Sequence, residues 1–205
     1  MLEYMRLGGS IMWVIAALSV IALAVSIERL IFFKKASADA EALEESFGSA
    51  VAKRDIEEAR RIVNSSKSSL HRLFFVAFAH WGIGREEMKL LVEQQVRREI
   101  FRWEKHIYIL EIIGKTAPLL GLLGTVLGMV EMFQSLHLGG QISAAEVTGG
   151  IWKALFTTVA GLVVAIPTVF VHGLLMSAID SEEETLNRGA DYLIREHFAS
   201  HGGVK

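Results

Sequence analysis

The stretch ALFTTVAGLVVAIPTVFV, residues 154–171, decides the fold, because its eighteen residues include no charged side chain. A run of that length and character is just long enough to cross the hydrocarbon core of a bilayer as a helix. A second run, APLLGLLGTVLGMV at residues 117–130, is extended by apolar residues on both sides, and a third fills residues 11–27. These runs predict an all-α membrane protein with three spanning helices, at residues 11–33, 109–134 and 150–176.

The overall composition excludes several other classes of protein. The formal net charge of −2 gives no basic excess for a nucleic-acid partner, and the absence of cysteine excludes disulfides, a thiolate nucleophile and Cys-ligated zinc. The sequence contains no phosphate-binding loop, HExxH or GxSxG motif. His197 and His201 have the spacing of metal ligands, but no acidic third ligand is in register, so we interpret them as solvated tail residues. We therefore expect neither enzyme activity nor a cofactor.

Lysine and arginine are distributed unevenly around the three spans. Most of them lie between the first and second spans, whereas residues 134–149 contain none. Lys34, Lys35, Arg102 and Lys105 are close enough to the spans to fix the orientation by the positive-inside rule. We expect residues 34–108 to form a cytoplasmic helical domain, residues 177–205 a cytoplasmic helix and tail, and residues 1–10 and 135–149 to face the other side.

The long polar stretch is predicted to be helical. Asp55 and Glu58 have the spacing of a capping box, and residues 64–69 are typical of the turn that would end that helix. Gly82 and Gly84 then break the chain, and helical spacing of apolar residues favours a single helix over residues 85–133. The third span is expected to continue as a helix through residues 180–198.

Small residues recur every third or fourth position in the second and third spans. The members considered for helix packing or for contact with a partner helix are Gly121, Gly124, Gly128, Gly161 and Ala165, together with the prolines Pro118 and Pro167. Small residues let helix backbones approach closely in a membrane, and each proline frees a backbone carbonyl. The stripes either pack the chain's own bundle or line an interface with another helix or a narrow pore.

Three threonines lie on or beside these small-residue faces: Thr125, Thr157 and Thr158. A threonine hydroxyl in a helix can satisfy itself on a carbonyl three or four residues back, which is the inert alternative. Three of them at comparable depth could instead hold water or hydrogen-bond a carboxylic acid from a partner. Because no aspartate lies within any span, a protonatable group for proton transfer would have to come from another chain.

Two segments together resemble the ExbB/TolQ/MotA proton-channel family, and its ExbB/TolQ branch in particular. Residues 116–129, TAPLLGLLGTVLGM, resemble the signature of its second span, and residues 154–167, ALFTTVAGLVVAIP, that of its third. The resemblance implies a homo-oligomeric ring in membrane lipid, typically a pentamer, in the bacterial inner membrane with a periplasmic N-terminus and a cytoplasmic C-terminus.

Partners and a mechanism also follow from the resemblance. The ring would surround the helices of an ExbD/TolR-like single-span protein, whose membrane aspartate carries the proton, with Na⁺ as the alternative ion. Thr125 and Thr158 match the family's pore threonines, which face that aspartate. Turning of the partner helix would deliver work to a TonB- or TolA-like protein for outer-membrane transport or envelope maintenance.

The sequence departs from the family at Lys153, where many relatives have a glutamate. Glu131 and Lys153 lie near the far ends of the second and third spans, as an ion pair across the loop or as charges at a pore mouth. Two other functions remain open at this point. One is a structural oligomeric scaffold without conduction, and the other is a self-sufficient ion channel, which the lack of an aspartate within the spans disfavours.

Overall fold

The structure, a computed structural model, describes residues 9–37, 40–137 and 144–201, and these residues form seven α-helices and no strand. The helices are α1 Gly9–Ala36, α2 Ala40–Ala52, α3 Ile56–Asn64, α4 Ser69–Ala79, α5 Arg85–Glu104, α6 Ile107–His137 and α7 Ala144–His201. They divide into two compact units. The apolar unit contains the described residues up to Arg29 and from His106 to Leu174, and the polar unit contains the rest.

Three of these helices, α1, α6 and α7, are long and apolar enough to cross a membrane, and they contain the three predicted spans. Large apolar side chains on them are exposed, including Trp13 on α1, Leu119 on α6 and Phe170 on α7. Such surface is tolerated where lipid replaces water. The remaining residues of the predicted terminal segments and loop, 1–8, 138–143 and 202–205, lie outside the described residues.

The prediction of one helix over residues 85–133 is wrong, because the helix is interrupted at Lys105 and His106. Lys105 has an extended backbone conformation (φ −54°, ψ 131°), and His106 lies in the left-handed region with φ 67°. Neither residue is glycine or proline, so the sequence carries no local signal for the break. Two helices, α5 and α6, therefore replace the predicted one.

The polar unit has its own hydrophobic core, formed by α2 to α5 and the last part of α7. Phe47 of α2 and Phe74 of α4 are fully buried, with ring centroids 5.1 Å apart in an edge-to-face arrangement. Leu186 and Leu193 of α7 are buried in the same cluster. Burial of each such side chain stabilises the fold by about 1.5–3 kcal/mol, so this core holds the end of α7 in place.

Short polar contacts set the helix boundaries in this unit. The Asp55 carboxylate accepts a hydrogen bond from the backbone N–H of Glu58 at 2.9 Å and so caps α3, as the capping-box spacing predicts. Ser68 caps α4 in the same way, through the N–H of His71 at 3.3 Å. The turn between these helices covers the predicted polar segment.

The interpretation of His197 as a solvated tail residue is wrong. Only 3% of His197 is exposed, and its Nε2 lies 3.0 Å from the carbonyl oxygen of Trp81. The two rings also meet edge to face, with centroids 5.3 Å apart. The end of α7 is therefore anchored on the turn after α4, while the side chain of His201 lies outside the described residues.

Candidate functional site: a threonine cluster between two apolar helices

The backbones of α6 and α7 touch along the predicted small-residue stripes. A Cβ atom added to Gly121 would lie 2.9 Å from the carbonyl oxygen of Thr157, and one added to Gly124 would lie 2.5 Å from the Thr157 Oγ1. A Cβ atom added to Gly128 would lie 3.2 Å from the Cβ of Ala154. Gly161 of α7 is buried against α6 as well. These glycines pack the chain's own helix pair, as small residues do in membranes.

The close approach brings all three predicted threonines together. The hydroxyls of Thr125 on α6 and Thr158 on α7 form a short hydrogen bond to each other. Thr158 Oγ1 also lies 3.1 Å from the carbonyl oxygen of Gly121, and Thr125 Oγ1 lies 3.2 Å from that of Ala154. Thr125 Oγ1 lies equally close, at 3.2 Å, to the Gly121 carbonyl oxygen four residues back in its own helix. The pair therefore adds cross-helix contacts to the local contact that a helical threonine can make by itself.

Thr157 has a different position from its neighbour. Only 2% of it is exposed, and its hydroxyl lies 2.7 Å from the Ala154 carbonyl oxygen in its own helix and 3.2 Å from that of Gly121. Thr125 and Thr158 are only partly buried. A ligand outside the helix pair can thus reach the Thr125–Thr158 pair, whereas Thr157 is enclosed by the packing.

Either hydroxyl can be the donor in the hydrogen bond between Thr125 and Thr158. A hydroxyl donates one proton and accepts at two lone pairs. If Thr158 donates to the Gly121 carbonyl, Thr125 can donate to Thr158, and if Thr125 donates to the Ala154 carbonyl, Thr158 can donate to Thr125. Rotation of two hydroxyls converts one arrangement into the other, so the pair can offer a lone pair from either residue.

The remaining predicted residues lie away from the threonine cluster. Helices α6 and α7 continue through Pro118 and Pro167. Pro167 is exposed and borders a crevice of about 200 Å³ between α1 and α7, which also includes Ser26 and Thr168. Both of these hydroxyls donate to carbonyls of their own helices at 2.7 Å. Ala165 is buried, 4% exposed.

Of the two predicted charges at the far ends of the spans, only Glu131 has a described side chain. Glu131 is an exposed residue of α6, and the side chain of Lys153 lies outside the described residues. Among the described residues, no group of three histidine, aspartate or glutamate side chains is arranged to hold a metal ion. The chemistry available at the candidate site is therefore that of hydroxyls and backbone carbonyls.

Comparison with known proteins decides the family. A model of the MotA/TolQ/ExbB proton channel family matches residues 25–188, which include the threonine cluster and most of both units. The chain belongs to this family. Its membership accounts for three apolar helices, and the family places the chain in a membrane.

Curated relatives of this MotA/TolQ/ExbB family member carry ExbB names. A Synechocystis sp. protein named ExbB-like 1 is 32% identical over 204 residues, 93% of this chain and 80% of that protein. The biopolymer transport protein exbB1 of Vibrio cholerae is 30% identical over 130 residues, 63% of this chain and 57% of that protein. The biopolymer transport protein ExbB of Neisseria gonorrhoeae is 37% identical over 90 residues, 44% and 41% of the two chains. The chain thus spans only about half the length of the last two.

In this ExbB-like chain, the backbone acceptors of the candidate site were not predicted from the sequence. The Gly121 and Ala154 carbonyl oxygens lie within hydrogen-bond distance of the threonine hydroxyls, and a backbone acceptor leaves no residue-type signal. The available signal was indirect. Glycine and alanine at these positions allow the threonines of one helix to reach the backbone of the other.

Proposed function

We propose that the chain is the proton-channel subunit of a motor complex of the ExbB–ExbD or TolQ–TolR type in the bacterial inner membrane. Copies of the chain form a ring, typically a pentamer, around an ExbD/TolR-like single-span partner. Protons driven by the proton motive force pass through the aspartate of that partner. The resulting movement energises a TonB- or TolA-like protein for outer-membrane transport or envelope maintenance.

The Thr125–Thr158 pair is the observation that carries this proposal. An aspartate that carries protons alternates between an acid, which donates a hydrogen bond, and a carboxylate, which only accepts. A partly buried pair whose hydroxyl protons can be redirected to the Gly121 or Ala154 carbonyl offers lone pairs to the acid and a donor to the carboxylate. The same site can therefore accommodate both states at little cost.

The proposed orientation has the N-terminus in the periplasm and the polar unit in the cytoplasm. Lys34 and Lys35 in the last turn of α1 support it, because basic residues close to a span remain on the cytoplasmic side. The exposed apolar side chains of α1, such as Trp13 and Leu23, supply a surface that lipid could cover. Near the other end of the third span, Lys153 stands where many ExbB and TolQ proteins have a glutamate. The proposal therefore assigns no role in ion passage to that glutamate position.

Proton flux into vesicles tests the role of the pair. The chain is reconstituted with an ExbD/TolR-like single-span protein, and a pH-sensitive dye inside the vesicles reports flux. We expect Thr125→Val and Thr158→Val to assemble normally and to lose flux, because valine keeps the shape but neither donates nor accepts. Thr168→Val is the matched control, since Thr168 donates only to its own helix, to Val164 at 2.7 Å, and should conduct as the wild type does. Full flux in both pair variants would exclude the pore role.

Two further measurements separate the proposal from the alternative functions. A scaffold would purify without a single-span protein in its centre, whereas the proposed motor retains one. A self-sufficient channel would conduct when the chain is reconstituted alone, whereas the proposed subunit needs the partner's aspartate. Stable assembly with no partner and no flux under any condition would favour the scaffold.

A further inference from the structure

The polar unit contains a buried carboxyl group that no part of the channel proposal uses. Glu182 of α7 is only 6% exposed, and its Oε1 is buried without a hydrogen-bond partner. A buried carboxylate in that condition is strongly disfavoured, whereas a protonated carboxyl is far cheaper to bury. The geometry therefore favours the protonated form of Glu182.

The charged groups that act on Glu182 from the packed helices are Glu99 of α5 and Arg72 of α4. Glu99 is completely buried, and the Arg72 Nε lies 3.0 Å from both of its oxygens, with Nη2 at 2.5 Å from Oε2. Arg102 Nη1 and Gln95 Nε2 donate to the same carboxylate at 3.1 and 2.9 Å. Four donors of three side chains thus surround the Glu99 carboxyl group.

This arrangement makes the two glutamates unequal. Arg72, the cation that acts on Glu182, is already hydrogen-bonded to Glu99 and to the carbonyl oxygen of Lys67. Burial and the negative charge of Glu99 raise the pKa of Glu182 to about 7, and the opposing effect of Arg72 is smaller. Glu99 is therefore surrounded by hydrogen-bond donors, whereas Glu182 has no such donor at its buried oxygen and exchanges its proton near neutral pH.

We propose that Glu182 is a proton-binding site of the polar unit, and that loss of its proton loosens the packing of the α7 segment 175–201 against α4 and α5. After Glu182 along α7, the segment is held by the buried side chains of Leu186, Leu193 and His197. A negative charge at Glu182 would be placed in this packed region beside the charge of Glu99. Release of the segment would bring water to the carboxylate and relieve that cost.

If the polar unit lies in the cytoplasm, the proton comes from the cytoplasm and the site responds to cytoplasmic pH. Only the response to cytoplasmic pH rests on the proposed function. Proton binding by Glu182 is a property of the polar unit and holds for a conducting complex or a scaffold alike. The segment would be packed most firmly at acid pH and would loosen as the pH rises toward 7.

Infrared titration of the full-length protein in nanodiscs tests proton binding directly. Selective isotope labelling of glutamate identifies the carbonyl band of protonated carboxyl groups. We expect a wild-type band that persists well above the usual range of glutamate, loses half of its intensity near pH 7 and is missing from Glu182→Gln. Glu184→Gln, two positions away and exposed, is the matched control and should keep the band. A wild-type protein without such a band at pH 6 would overturn the proposal, even if Glu182→Gln failed to fold.

Hydrogen–deuterium exchange of the same samples tests the coupling to packing. After correction for the intrinsic pH dependence of exchange, amides of residues 175–201 should lose protection in the wild type as the pH rises from about 4.5 to 7, between the ordinary pKa of glutamate and that of buried Glu182, and should change little above pH 7. Glutamine cannot ionise, so Glu182→Gln should keep its protection over this range. Protection that is independent of pH in the wild type would overturn the coupling, and an equal loss in both proteins would assign it to another group.

Discussion

Gly161 of α7 lies directly over the carbonyl of Ala117 in α6, so that a Cβ atom added to Gly161 would come within 2.5 Å of the Ala117 oxygen. The nearest atom is backbone, which cannot rotate away as a side chain can. We expect Gly161→Ala to weaken the α6–α7 pair by about 1–3 kcal/mol, the usual cost of overpacking a close contact. Thermal unfolding in detergent and size-exclusion chromatography of the assembled protein would measure the loss.

Gly173 of α7 provides the control for this substitution. Apart from its two chain neighbours and the backbone of its own helix, no heavy atom lies within 4 Å of a Cβ atom added there. Because alanine has the higher helix propensity by about 1 kcal/mol, Gly173→Ala should be neutral or stabilising. If both variants lowered stability equally, the close backbone contact would not be the cause.

Thr157 and Thr158 are adjacent in the chain but should respond differently to valine. Thr157 is enclosed between the helices, and Thr125 and Thr158 remain able to donate to its acceptors Gly121 and Ala154. We expect Thr157→Val to lower the free energy of unfolding by about 1 kcal/mol, the net value of one hydrogen bond, and to retain proton flux per folded complex. Normal stability with lost flux would contradict this division and return Thr157 to the pore.

The buried pair of Arg72 and Glu99 should dominate the stability of the polar unit. Arg72→Met keeps most of the side-chain volume but leaves Glu99, which is inaccessible to solvent, without its main cation. We expect a loss of about 3–5 kcal/mol, reduced to the extent that Arg102 compensates. Chemical unfolding followed by circular dichroism would measure this loss.

Arg97→Met is the matched control for Arg72→Met. The Arg97–Glu93 pair is 4.0 Å apart and largely exposed, and such pairs contribute about 0–1 kcal/mol. A similar loss in both variants would show that arginine removal in general, and not the buried pair, is responsible.

The sequence was sufficient to predict the features that repeat along one helix. Three uncharged runs predicted the apolar helices α1, α6 and α7, and glycine spacing predicted the stripes that bring the threonines together. The cap of α3 at Asp55 was also predictable, because capping depends on residues only three positions apart. Local patterns of this kind require no knowledge of the tertiary packing.

Features that depend on packing between distant residues could not be predicted. Arg72 and Glu99 are 27 positions apart, and His197 and Trp81 are 116 apart, so their pairing becomes visible only in the folded unit. The break before α6 relies on His106 in a left-handed conformation that its residue type does not require. Burial likewise separates Thr157 from Thr158, although their chemistry is identical.

The carbonyl oxygen of Gly121, a backbone atom, lies within hydrogen-bond distance of the hydroxyls of Thr125, Thr157 and Thr158. Side-chain scanning can therefore remove every donor of the cluster and never touch its central acceptor. A backbone ester in place of the amide between Gly121 and Leu122 would weaken that oxygen as an acceptor and leave every side chain intact. Substitution of side chains would therefore test only one part of the proposed proton path, and the backbone part can be tested only by a change such as this ester.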